Sequence, residues 1–160
     1  HCAVLMSEGH SKAYMIAQIL LDQGANPNAR NKENWTPLHV ASRRRCARAI
    51  LWILSYNLEL KEIHGRDEVF KINKRGGGYK WTALHIAAYA GSYDCVQALG
   101  EAYADPFKRS VNGYTPKRVI NKPGLTLKMV EKYEQRWVKE HIFFRKNEET
   151  ESLAHQNLQN

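Results

Sequence analysis

Two histidines occupy matching phrases in this chain, Thr36-Pro37-Leu38-His39 and Thr82-Ala83-Leu84-His85. Imidazole is the side chain that most readily exchanges protons near neutral pH, so a catalytic base is the first chemistry to test. A base needs a reacting partner, and the pattern supplies no Ser/His/Asp grouping and no paired carboxylates. His10, His64, His141 and His155 are scattered without the spacing of metal ligands. Cys2, Cys46 and Cys95 lie far apart, with no Cys-x-x-Cys pair. They suggest neither a zinc site nor a disulfide framework, and read as small core hydrophobes in a reducing compartment. The expectation is no enzyme: no catalytic residue, no cofactor, no metal and no small-molecule substrate.

Binding chemistry is better represented. Lys71, Lys74, Arg75 and Lys80 are interleaved with Tyr79 and Trp81, a mixture that can grip phosphate and stack bases. Gly76–Gly78 lies among them, but no Gly-Lys-Ser/Thr follows, so a phosphate loop is only weakly signalled. Arg43-Arg44-Arg45 is the densest charge run, and guanidinium forks match carboxylates and phosphates. Each stretch also reads as a solvated surface.

The balance of 24 Lys and Arg against 16 Asp and Glu, net +8, favours acidic partners: nucleic acid, anionic lipid or an acidic protein patch. At 160 residues and 43% hydrophobic, the chain suits one domain with a real core. No apolar run approaches the roughly 20 residues that span a membrane, so no insertion is expected. The chain starts at His1, and His1-Cys2-Ala3-Val4 reads as the tail of another repeat phrase, as if further chain preceded it.

Spacing sets the elements that carry these residues. Thr36-Pro37-Leu38-His39 returns as Thr82-Ala83-Leu84-His85 and, degraded, as Thr115-Pro116-Lys117-Arg118. Thr82 to Thr115 is 33 residues, whereas Thr36 to Thr82 is 46, so one unit carries 13 extra. Gly24-Ala25-Asn26 is matched to Asn57-Leu58-Glu59 and Tyr103-Ala104-Asp105, which puts the excess between Glu59 and Thr82. A 33-residue period bearing a T-P-L-H phrase marks an ankyrin array.

These residues resemble the ankyrin-repeat family over roughly Cys2 to Glu134. The resemblance implies an all-α solenoid of about four helix-turn-helix units with β-turn or hairpin loops and a long C-terminal capping helix. Units are expected at about 1–30, 31–63, 77–109 and from 110 to 125 onward, with an exposed insertion loop at 60–80. The first unit would use helices Cys2–Ser7 and Lys12–Asp22, the second carrying Met15, Ile16, Ile19 and Leu20 at helical spacing. In the second unit, Thr36 caps an inner helix with Pro37 at its first turn. The outer helix is expected over Ala47–Ser55, with Ile50, Leu51, Ile53 and Leu54 facing the stack and Asn57 at the helix end. Arg45 replaces an inter-helix glycine, Tyr103 a helix-end glycine, and Gly124 recovers the inter-helix glycine of the fourth unit. A capping helix covers 126–146, with Val130, Tyr133, Trp137, His141 and Phe144 in one stripe. Residues 147–160 read as a polar, flexible tail.

The resemblance also implies roles. His39 and His85 become structural, bonding within their own turn and the neighbouring repeat. The family's contact positions fall on Trp35, Trp81 and Tyr114 at the hairpin tips and on Arg43, Arg44 and Tyr89 at the inner-helix ends. Lys74, Arg75 and Lys80 extend that concave, aromatic and basic face, and Trp137 offers a docking point on the last helix. The implied protein is an intracellular adaptor, cytoplasmic first, that holds an acidic or mixed protein surface as a subunit or module of a larger assembly. Its rival is a basic accessory subunit touching RNA or DNA, and a third reading is a targeting module of a longer enzyme.

Overall fold

The structure, a computed structural model, describes residues 11–64, 70–122 and 124–157, with side chains described over 15–59, 70–122 and 124–141. The expected helix Cys2–Ser7 lies outside them. The helices are α1 (Ser11–Asp22), α2 (Pro37–Arg43), α3 (Ala47–His64), α4 (Ala83–Tyr89), α5 (Tyr93–Glu101) and α6 (Leu125–Asn157), with a 3-10 turn at Pro116–Val119. Inner helix α2 packs on α4, and outer helix α3 on α5, so the units stack as two layers.

Local chemistry starts each inner helix. Thr36 and Thr82 sit in extended backbone with their histidines three residues on, and each Thr–His pair closes a capping box. The alanines and small residues of α2 and α4 let the layers approach, and Ile50, Ile53, Val96 and Leu99 of the outer helices fill the core between them. Leu51 departs from expectation: it is half exposed, because α3 turns Ile50 and Ile53 inward and Leu51 lies off that stripe. Met15, Ile16, Ile19 and Leu20 likewise face outward. Ala17 and Leu21 of α1, with part of Leu20, line an apolar cleft against Trp52, Ile53 and Phe70.

Two turns hold non-glycine residues in the left-handed region. Arg45 has φ 57°, and its turn repeats the hydrogen bonds made at Gly91, φ 65°. The turn is therefore undistorted by the missing glycine, since arginine adopts the glycine conformation at a local cost. Tyr103, φ 59°, does the same after α5.

The extra residues fall within the expected Glu59–Thr82 stretch but ahead of the hairpin rather than in it. Helix α3 continues past Ser55 to His64, so Asn57 is inside it and not at a helix end. The Asn57 amide instead exchanges two hydrogen bonds with the backbone of Phe70, at 2.8 and 3.1 Å. Phe70 is buried edge-on to Tyr56, so the chain from residue 70 is anchored. From there the hairpin bonding of the other units resumes: Lys74 N–H to Lys71 O and Lys80 N–H to Gly77 O parallel Ala29 to Asn26 and Asn34 to Asn31. Residues 70–80 are a repeat hairpin, and helix α3 is lengthened ahead of it.

The C-terminal end also differs. Without a histidine after Thr115, the fourth inner helix shrinks to one 3-10 turn, and Ile120 is already extended at φ −69°, ψ 116°. Gly124 is therefore not a left-handed inter-helix glycine; among the described residues the positive-φ glycines are Gly24, Gly77, Gly91 and Gly113. Helix α6 spans 33 residues, about 50 Å, and takes in most of the segment expected as a flexible tail. It docks on α5 through Val130 and Tyr133. The Tyr133 ring lies on Gly100, where a Cβ would meet it at 2.3 Å. Lys117, which stands where the repeat phrase has leucine, reaches Glu131 at 3.0 Å and Glu134 at 3.4 Å.

Candidate interaction surface

Backbone stacking places the hairpin tips side by side. Gly77 N–H donates to Asn34 O at 3.1 Å, and Val111 N–H to Tyr79 O at 3.0 Å. The histidines complete the weld. A carbonyl only accepts, so His39 donates from Nε2 to Trp81 O at 2.9 Å, leaving Nδ1 to accept from the Thr36 N–H at 3.3 Å and hydroxyl at 2.6 Å. His85 repeats this, with Nε2 to Tyr114 O at 2.9 Å and Nδ1 against Thr82. Burial holds the His39 imidazole down to about 4 and lowers that of His85. Both ring nitrogens are committed to holding turns together.

The glycine run is occupied by the same stacking. A Cβ on Gly76 would meet Asn34 O at 2.7 Å, and one on Gly77 would meet Trp35 Nε1 at 2.3 Å. These glycines let one hairpin lie against the previous one, and the weak phosphate-loop signal of Gly76–Gly78 comes from packing.

With the tips aligned, Trp35, Trp81 and Tyr114 form a row, each ring backed by a residue of its own unit. Arg43 lies over Trp35 at 4.7 Å, and Arg118 over Tyr114 at 4.8 Å. Trp81 instead meets two tyrosines, Tyr79 at 5.5 Å and Tyr89 at 5.2 Å between centroids. Tyr79 and Tyr89 are 63% and 50% exposed, whereas Trp81 is half-buried and packs against the core. Arg43 also meets Glu33 at 3.4 Å. Arg44 is exposed at the end of α2, and Lys80 at a hairpin tip with φ 50°. Lys74 is half-buried. Arg75 is spent partly within the stack, its guanidinium reaching Arg109 O and its carbonyl accepting from Arg30. Trp137 is not part of this row; its ring stacks on His141 along α6, at 4.3 Å.

Residue order placed Tyr79 with Trp81 in a cationic-aromatic stretch but did not single it out at the hairpin tips, and it did not assign Arg118 to the face. Arg118 follows Tyr114 by four residues, a spacing that a cation–π pair can use, whereas Tyr79 joins Trp81 only through the hairpin. Among the described residues no group of three His, Cys, Asp or Glu could hold a metal ion, and no helix is long and apolar enough to cross a membrane.

The repeated hairpin, inner helix and outer helix define an ankyrin-type stack. The family pattern described as ankyrin repeats matches three copies over residues 1–110, and the chain belongs to that family. Ankyrin repeats generally mediate protein–protein interaction. The chain is also similar to a cattle (Bos taurus) protein named mitochondrial disaggregase, at 27% identity over 137 residues. That match takes in 71% of this chain and 20% of the relative's length.

Proposed function

We propose that this chain is a recognition module that holds an acidic or mixed protein surface on its hairpin and inner-helix face. The observation that carries this reading is the row Trp35–Arg43, Trp81–Tyr89 and Tyr114–Arg118, in which a half-buried or exposed ring at each tip is paired with an exposed guanidinium or phenol. Tryptophan, tyrosine and arginine are the residues that concentrate binding energy at interfaces. The repeats themselves recognise and do not catalyse, since His39 and His85 spend both ring nitrogens on structure. Membership of a larger machine is supported by likeness to a much longer relative named as a disaggregase. A reducing intracellular compartment is supported by Cys95, a buried cysteine outside any disulfide.

The test is affinity capture from native lysate, with and without nuclease, using the chain and its Arg44→Glu/Tyr89→Ala variant. Both positions are exposed, so the melting curve should hold; Trp81 is too embedded for this purpose. Proteins retained after nuclease and lost with the variant support the reading. Loss of the whole set on nuclease would replace it with RNA or DNA contact, and equal capture by the variant would remove the face from the interaction.

A further inference from the structure

The three aromatic positions of the row are not equivalent. Trp35 and Tyr114 are each covered by a guanidinium, whereas Trp81 is flanked by the rings of Tyr79 and Tyr89 and stacks on buried His85 at 6.2 Å. A guanidinium stacked on a ring is held in place and keeps N–H groups for a carboxylate, although Arg43 already shares one with Glu33 at 3.4 Å. Two half-exposed phenols beside an indole offer flat apolar walls with polar tips. The pattern along the stack is cation, apolar cradle, cation.

We propose that Tyr79, Trp81 and Tyr89 form a cradle for one apolar side chain, aromatic or proline, of an extended acidic segment whose carboxylates engage Arg43 and Arg118 on either side. Geometry sets the register. Packed helices stand about 8–10 Å apart, and an extended chain advances about 3.3 Å per residue. The carboxylates therefore lie about three residues before and after the anchor. A cationic anchor is disfavoured, because the guanidiniums on both sides repel it. Lys80, exposed beside Trp81, adds to that selection. The inference rests on the recognition reading above and specifies the segment recognised.

The experiment is selection of a displayed library of random twelve-residue peptides on the chain, repeated with Tyr89→Ala and with Leu51→Ala on an outer helix. The expected result is enrichment of peptides with an aromatic or proline residue centred between acids about three residues away. Tyr89→Ala should weaken the selected peptides about tenfold, and Leu51→Ala should leave them unchanged. Acidic peptides without a central apolar residue, insensitive to Tyr89→Ala, would overturn the cradle and leave the recognition face standing. Selection of no peptide, with a single-stranded RNA oligonucleotide bound and released steeply by salt, would overturn both. Selection of neither would also overturn the cradle.

Discussion

Through Nε2, His39 donates to the carbonyl oxygen of Trp81 at 2.9 Å, joining positions 42 residues apart. One side chain thus caps its own helix and anchors the next hairpin, including the aromatic of the central cradle. The same bond from His85 to Tyr114 sets the following tip. The aromatic row is built on these two imidazoles.

Their burial gives the stack a pH dependence. An unfolded histidine takes its proton near 6.5, whereas folded His39 holds out to about 4. Between those values the unfolded chain binds more protons, so stability rises with pH. The His39 contribution, about 3 kcal/mol, is complete above pH 6.5 and is lost as pH falls toward 4; His85 acts in the same direction. Imidazole proton shifts followed by NMR should show His39 unprotonated at pH 5. A midpoint near 6.5 would contradict the assignment.

Arg45 should be improvable. It occupies the left-handed conformation that Gly91 takes in the next unit, at a cost glycine does not bear. Arg45→Gly is expected to raise stability by about 1 kcal/mol, read as a higher urea midpoint with unchanged slope. A lower midpoint would show that the arginine side chain contributes more than its backbone costs.

Adjacent glycines should respond in opposite ways. Gly77 combines φ 69° with a Cβ position 2.3 Å from Trp35, whereas Gly78 has nothing within 4 Å. Gly77→Ala should cost about 2–3 kcal/mol from strain and overpacking, and Gly78→Ala less than about 0.5 kcal/mol. Thermal melts of both variants decide this. Similar losses at both would mean the run serves flexibility.

The terminal helix depends on a single small residue. Gly100→Ala places a methyl into the Tyr133 ring and should destabilise by about 1–3 kcal/mol. Hydrogen exchange should quicken first in α6 around Tyr133. Protection there equal to that of the unaltered chain would show that Val130 and the Lys117 ion pairs suffice to hold the helix.

What could be read from residue order alone was the local and periodic part. Thr-x-x-His specifies a capped helix through contacts three residues apart, and its return after 33 residues specifies a stack of like units. The aromatic before each threonine followed from the same phrase. Placement of the 13 extra residues did not, because Asn57 looks like a turn residue until Phe70 arrives to occupy its amide. The glycine run looked like a flexible loop until Trp35 lay against Gly77. Nor could residue order show that Trp35 and Tyr114 are covered by guanidiniums while Trp81 is walled by Tyr79 and Tyr89. Caps and turns are decided by neighbours along the chain, so sequence specifies them. The surface is decided by which hairpin lies on which, through contacts 30 to 45 residues apart that only the folded stack brings within reach.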